Sequence, residues 1–496
     1  KADADLEHLR THLQADEQKI AFLDDKMAVY ESLVTACLTM PSLDNPAETA
    51  FGFIEKAKSR SLAELIAFRA TAVPPKTFGR AADSVRRLRE QLTWHYKEME
   101  LAELAQNGQS ARRVKTLTQR VRTLERQLMG SLDEVGRTDQ EFSALQSGRA
   151  AALDDIRACL PSDALLLEYY QARGRYYVCV VRRESLEVVP LAPAPAVHRL
   201  LRLLQFQISK FRLGPSYVEA FAAQFRTAAE MHLSELYAAL VAPVRDRLHA
   251  SHLVIVPHDV LHGLPFHALN DGRRFLGDEF TMSQAPSATV YRLCRTKPRS
   301  GAGAALVMGL PDEQTPFIVD EVAAISGVLP NAQVFMGEDA TIERLQTQAT
   351  DSRYVHIATH GQFRADNPMF SSIRLGDGPI GAYDLYQLRM SAELVTLSGC
   401  STGRSVVAGG DEVLGLVRGL LYAGARAVLL TLWDTHDRTA AQFMKTFYGQ
   451  LAAGWSMARA AQHAMWEIRD RYPHPFYWAP YTLIGDVQTA HTADRH

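Results

Sequence analysis

A chain of 496 residues is long enough for two to four domains with large buried cores. Its composition, 47% hydrophobic and 22% charged, is that of ordinary soluble globular protein, and no apolar run approaches the roughly 20 residues of a membrane-spanning helix. The formal charge of -2 gives no global reason to expect nucleic acid or an anionic membrane as partner.

In chain order, Lys1 to Leu13 are polar and charged, so no signal peptide or anchor is expected, and a start on Lys rather than Met fits a processed chain or a fragment. Leu13, Ile20, Leu23, Met27, Val34 and Cys37 recur near helical spacing until Pro41 to Pro46 breaks the run. A second helix is predicted over Pro46 to Phe68, carrying Phe51, Ile54, Ala57, Leu62, Leu65 and Ile66, and Pro74-Pro75 ends it. Val85, Leu88 and Leu92, then Val114, Leu117, Val121, Leu124 and Leu128 beyond Asn107-Gly108, predict an antiparallel helical hairpin with a narrow apolar seam. The arginines on its outer face (Arg112, Arg113, Arg120, Arg122, Arg126) read as a solvated helix face rather than a nucleic-acid surface.

From Asp163 the period changes. Leu165 to Tyr170, Tyr176 to Val181 and Leu186 to Val189 read as strands, helices follow over Ala196 to Phe211 and Tyr217 to Leu248, and Leu253 to Val256 reads as a buried strand. His258, His262 and His267 lie on a Pro/Gly-interrupted segment with no carboxylate in fixed register, so they read as structural or loop histidines rather than metal ligands. Thr296 to Gly303 is the clearest linker. Beyond it strand and helix alternate, with strands at Ala305 to Met308, Gln333 to Met336, Tyr354 to Ala358, Leu394 to Ser398 and Ala427 to Leu432. This is the rhythm of a mostly parallel sheet covered on both faces, and the weaker rhythm from Asp163 to Cys294 predicts two stacked α/β halves. The cysteines, Cys37, Cys159, Cys179, Cys294 and Cys400, are scattered and odd in number, which argues for a reducing compartment and against a disulfide framework or a paired zinc site.

Two of the predicted strands end in reactive side chains. Tyr354 to Ala358 leads into Thr359-His360-Gly361, and Leu394 to Leu397 leads into Ser398-Gly399-Cys400-Ser401-Thr402-Gly403. Sites form at the carboxyl edge of open α/β sheets, so His360 and Cys400 are a candidate thiol–imidazole pair. Small neighbours admit a substrate backbone, and the N–H groups of Gly361 and Cys400 are candidates to meet a developing oxyanion. The imidazole would favour the thiolate and protonate the leaving amine, and the acyl-enzyme would then be hydrolysed. Taken singly, Cys400 reads equally well as a packed core thiol and His360 as a loop histidine. A rival is the G-x-S-x-G elbow spelled by Gly399 to Gly403, with Ser401 as nucleophile. That elbow passes directly into a helix, whereas here Arg404 to Gly410 intervene before the helix predicted at Asp411. The acid and histidine it needs, Asp434 with His463 or His474, are unmarked.

These residues carry a family resemblance. His356 to Phe363, Leu394 to Gly403, Gly410-Asp411-Glu412, Leu416 to Ala425 and Leu432-Trp433-Asp434 resemble a CHAT domain, the caspase-like domain associated with tetratricopeptide repeats and related to separase and caspases. Val256-Pro257-His258-Asp259 with Leu261 to Phe266 is similar to the family's first half, and Ala57-Lys58-Ser59-Arg60-Ser61-Leu62 resembles the last repeat helix before it. The resemblance implies an α/β, caspase-like, mostly parallel sheet with helices on both faces, preceded by an all-α region. Residues 1–75 would be the repeat-like helices, 76–150 the long hairpin, 151–297 a first, non-catalytic half and 304–490 the catalytic half. It implies a cysteine endopeptidase acting on a specific protein substrate, with His360 and Cys400 as the dyad and backbone N–H groups of Gly361 and Cys400 as the oxyanion hole. The family commonly has Ala before the cysteine and Glu after it, where this chain has Gly399 and Ser401.

Trp433 to Asp437 resembles the segment lining the P1 pocket of separase, whose relatives cut after Arg. Asp434 and Asp437 are the candidates to pair with a P1 guanidinium; the other reading of Asp437 is a cap on the helix it begins. No cofactor or metal is expected. The implied partners are the protein substrate and a regulatory protein docking on the N-terminal helices, in the cytoplasm, with no membrane and no direct nucleic-acid contact. The family's associations point to a regulated defence or death-like pathway, bacterial defence among them. Some relatives are inactive, so a catalytically silent scaffold is the alternative from another class.

Overall fold

The computed structural model describes residues 29–39, 44–70, 150–297, 303–313, 315–362, 371–385, 388–399 and 411–487, with scattered positions between 84 and 127. Helix α1 (29–39) and α2 (Pro46–Ala70) come first. Pro46 opens α2, where its missing N–H is one of the helix's unpaired donors in any case. Of the predicted hairpin seam, Leu92, Val121 and Leu124 are helical and buried, while the Asn107-Gly108 turn lies outside the described residues.

The first α/β half holds α3 (Leu153–Cys159), β1 (Ala164–Ala172), β2 (Arg175–Val181), β3 (Leu186–Pro193), α4 (Ala194–Ser209), α5 (Pro215–Ala220), α6 (Ala222–Leu240), β4 (His252–Val256), β5 (Thr281–Gln284) and α7 (Ala288–Thr296). The second holds β6 (Ala305–Gly309), α8 (Ile318–Val328), β7 (Gln333–Met336), α9 (Ile342–Gln348), β8 (Tyr354–Ala358), β9 (Gly361–Gln362), β10 (Ser372–Leu375), β11 (Gly378–Gly381), β12 (Leu394–Ser398), α10 (Asp411–Ala423), β13 (Ala427–Thr431), α11 (Asp437–Ala452), α12 (Met457–Arg471) and β14 (Tyr481–Gly485). Strands β6, β8, β12 and β13 are buried along their whole length, as strands covered on both faces must be.

The two halves do not stack. They lie edge to edge in one 11-stranded sheet of order β3-β2-β1-β4-β5-β14-β13-β12-β8-β6-β7. Pairing is parallel from β1 to β14 and again from β13 to β7, and antiparallel between β14 and β13. That reversal makes the two parallel blocks present their carboxyl edges on opposite sides of the sheet, and β2 and β3 add antiparallel at the far edge of the first block. A second, 3-stranded sheet of order β11-β10-β9 follows β8.

The N-terminal helices are built into the first half. Tyr30 and Val34 of α1 and Phe51 and Ile54 of α2 share a core with Leu166, Tyr170 and Val254 of the sheet. Beside this core lies a buried charged cluster. Lys58 Nζ donates to the carbonyls of Tyr169 (2.8 Å) and Pro257 (3.0 Å) and lies 3.1 Å from Glu168 Oε1. The Glu55 carboxylate accepts the N–H groups of Ala288 (3.0 Å) and Thr289 (2.7 Å), and Ser287 Oγ accepts that of Val290 (3.1 Å). Together they satisfy donors that α7 cannot pair within itself.

Candidate functional site

Register assembles the site edge. Gly309 of β6 and Ser398 of β12 are both partners of Ala358 in β8, so three chains leave the sheet side by side. The loops beyond are stitched together: Leu310 N–H donates to the Ala358 carbonyl (2.9 Å) and Thr359 N–H to the Ser398 carbonyl (3.0 Å). Strand β13 runs parallel on the far side of β12, so Trp433 to Asp437 leave from the same edge.

His360 follows β8 directly. Its Nε2 lies 2.8 Å from Asp312 Oδ2, with the two side chains 22% and 34% exposed. Asp312 stands on the loop after β6, and its Oδ1 accepts Thr315 N–H (3.0 Å) and Thr315 Oγ1–H (2.9 Å). Thr315 Oγ1 is itself 3.5 Å from His360 Nε2. Arg374 N–H donates to the His360 carbonyl at 2.9 Å, so Gly361 and Ile373 are the adjacent, non-hydrogen-bonded pair of the β9–β10 ladder. In such a pair the amide N–H points away from the partner strand. Gly361 therefore turns its N–H outward from β10 at the edge of the small sheet, which suits an oxyanion donor.

Cys400 and Ser401 lie outside the described residues; Gly399, immediately before them, does not. Gly399 has φ of 81°, and a Cβ placed on it would sit 3.0 Å from the Thr359 carbonyl oxygen. Glycine therefore lets the chain turn left-handed beside the His360 strand end.

Asp434 is half-buried in the loop after β13. Asp437 does not cap its own helix: the position before α11 is His436, and Asp437 Oδ2 reaches across to accept Phe317 N–H (2.8 Å) at the foot of α8. Burial pushes the Asp437 carboxyl above its usual range, against the lowering effect of that hydrogen bond, and the charges of Glu321 and Asp312 add to the rise. The site region is thus acidic. Of the residues for the rival elbow, His474 caps the short helix Pro475–Trp478 by accepting Phe476 N–H at Nδ1 (3.0 Å).

Sequence reading did not single out Asp312 and Thr315. The available signal was Gly309-Leu310-Pro311-Asp312 with Thr315 three residues on, an acid-anchored turn at the end of a buried strand. The histidines after β4 are structural: the His258 ring packs on Tyr170 at 4.6 Å, and desolvation holds His258 down at about 3 and His267 at about 4. Cys37, Cys159, Cys179 and Cys294 are free thiols pushed up by burial. No helix among the described residues is long and apolar enough to cross a membrane.

A mostly parallel sheet with helices on both faces, preceded by helices and with His360 and Gly399 following neighbouring strands at one carboxyl edge, is the fold of a caspase-like α/β protein. A family model for the CHAT domain matches residues 230–486, and the chain belongs to that family. It is similar to tetratricopeptide repeat protein 28 of Mus musculus (26% identical over 325 residues) and of Homo sapiens (25% over 325 residues). Each match covers 52% of this chain and 13% of the relative, so the chain spans a small part of the curated proteins it matches. Among solved structures, the Saccharomyces cerevisiae separase–securin complex superposes with a TM-score of 0.49 at 10% identity, over 98% of this chain and 44% of that one.

Proposed function

We propose that the chain is a cysteine endopeptidase that cuts a specific protein substrate after a basic residue, Arg first. Cys400 is the nucleophile and His360 its base. The backbone N–H groups of Gly361 and Cys400 receive the oxyanion, and Asp434 and Asp437 line the P1 pocket. One observation carries this reading: the Ser398–Ala358 register and the Thr359–Ser398 hydrogen bond bring the chain just before Cys400 beside the chain bearing His360. The His360 imidazole takes the Cys400 proton, the thiolate attacks the scissile carbonyl, and the imidazolium returns the proton to the leaving amine. Water then releases the acyl group. The acidic surroundings of His360, with Asp312, Glu321 and Asp437 in one neighbourhood, support a cationic P1 residue.

The helices before the sheet dock a regulatory protein in this reading. Their shared core with β1 and β4 supports it, because a load on α2 is felt by the strands it packs on. Free cysteines support action in the reducing cytoplasm. Cys400→Ala and His360→Ala should each abolish cleavage of an Arg-P1 peptide by the purified chain; full activity in either removes the dyad. Asp434→Ala and Asp437→Ala, assayed against Arg, Lys and Asp P1 series, test the pocket, and an unchanged Arg preference in both removes it. N-terminal sequencing of fragments made in source lysate by the parent and by Cys400→Ala identifies the substrate.

A further inference from the structure

His360 is gripped from the side by a carboxylate that is itself clamped. Asp312 Oδ2 lies 2.8 Å from His360 Nε2, while Oδ1 is occupied by the N–H and hydroxyl of Thr315 at 3.0 and 2.9 Å. The loop that carries both residues is pinned at each end. Leu310 N–H holds it to the Ala358 carbonyl at 2.9 Å, and Phe317 N–H holds it to Asp437 Oδ2 at 2.8 Å. A carboxylate fixed in this way at the end of β6 has little freedom to rotate away from the ring. Both side chains are partly withdrawn from water, at 22% and 34% exposure.

The geometry points to Asp312 as a positioning residue for His360: it holds the ring with Nε2–H toward the carboxylate and so assigns Nδ1 to proton exchange with the Cys400 thiol. This inference rests on the proposed dyad. The proton leaves Cys400 Sγ for His360 Nδ1, giving a thiolate and an imidazolium, and Asp312 stays ionised throughout. Its charge stabilises the imidazolium and thereby the thiolate–imidazolium form over the neutral pair. When the scissile C–N bond breaks, the same Nδ1–H passes to the departing amine nitrogen. Thr315 acts one step further out, by fixing the carboxylate. The other titratable groups in the neighbourhood are His436 and Asp437 at the start of α11 and Glu321 on α8, the last facing His356 Nε2 at 2.9 Å.

The test is the pH dependence of Cys400 alkylation by iodoacetamide in the full chain, read at the Cys400 peptide by mass spectrometry, alongside turnover of an Arg-P1 peptide. Asp312→Asn keeps the shape and removes the charge. It should move the acidic limb of the alkylation profile up by about one pH unit or more. It should also lower kcat by about tenfold or more with KM little changed. Asp312→Glu should restore part of both, and Thr315→Val, which leaves Asp312 in place, should shift the limb the same way by less. A profile for Asp312→Asn that superimposes on the parent's overturns the inference, and so does a kcat unchanged while Cys400→Ala and His360→Ala are dead. In that second outcome the peptidase reading stands. If no peptide is cut, yet the low-pH reactivity of Cys400 depends on His360 and shifts with Asp312→Asn, the positioning role stands and the peptidase reading falls. Should Asp312→Asn lose its native circular dichroism, Thr315→Val decides in its place: a limb shifted upward supports the positioning role, and an unshifted limb overturns it.

Discussion

Replacing Lys58 by Met should loosen the seat of α2 on the sheet. The Lys58 side chain is 7% exposed, and that of Glu168, 3.1 Å away, is 0% exposed. Burial and the neighbouring Glu55 charge push the Glu168 carboxyl well above the usual range. The cluster thus sets one lysine against two fully buried carboxyl groups, Glu168 and Glu55. Met keeps the apolar stem but removes the donor to the Tyr169 and Pro257 carbonyls and the partner of Glu168, so two carboxyl groups stay buried without the lysine. Removing one partner of a buried pair costs about 3–5 kcal/mol. Set against a total stability of about 5–15 kcal/mol, that is a large share. Guanidinium unfolding followed by far-UV circular dichroism should show the midpoint of Lys58→Met falling with the slope unchanged. Lys58→Met/Glu55→Gln should recover about 1–2 kcal/mol relative to the sum of the single changes. A loss below about 1 kcal/mol for Lys58→Met, or strict additivity in the double variant, would refute the charge-balance argument.

Two further outcomes follow from the geometry. Gly399→Ala puts a side chain at φ of 81°, 3.0 Å from the Thr359 carbonyl, and should cost about 1–3 kcal/mol by thermal melting together with a fall in peptide turnover; unchanged melting and turnover would show that the turn relaxes freely. His252, 1% exposed between Thr281 Oγ1 (2.9 Å) and Ser283 Oγ (3.1 Å), is lowered by burial from 6.5 to about 4. Because its folded value is depressed, its contribution is complete above about pH 6.5 and is lost as pH falls toward 4, roughly 3 kcal/mol in all. Denaturant midpoints at pH 7, 5 and 4 should show that slope in the parent and a flatter one in His252→Gln.

Much of the second half was legible because β6, β8, β12 and β13 are buried on both faces, which writes them as largely apolar runs. β8 and β12 fall where those runs lie, β6 and β13 end within one residue of them, and the half-exposed edge strand β7 falls at its predicted place as well. β5 (Thr-Met-Ser-Gln) and β14 (Tyr-Thr-Leu-Ile-Gly) were missed because polar residues interrupt both, and each is placed mainly by pairing with β4 or β13. The helix read over Tyr217 to Leu248 is broken at Phe221 and again at Val241, before Pro243. At the site, His360 could be found because it ends a strand. Asp312 could not, since its meaning depends on β6 lying beside β8, a fact of register that no local pattern carries. Asp437 was open to two readings for the same reason: only the fold brings Phe317 within its reach.

The seam between the halves is held by groups that lie outside the linker. β14 pairs with β5, Gln462 Nε2 donates to the Gly277 carbonyl at 2.8 Å, and Arg469 Nη1 lies 2.7 Å from Asp278 Oδ1. Arg295 Nη1 meets the buried Asp486 carboxylate at 2.9 Å. None of these ties runs through the backbone between Lys297 and Gly303. A single peptide-bond cut there would leave a nicked protein that separates into two bands in detergent yet elutes as one species in buffer. By the same token, pieces expressed apart, one ending at Lys297 and the other beginning at Gly303, would carry matching halves of a split-protein reporter.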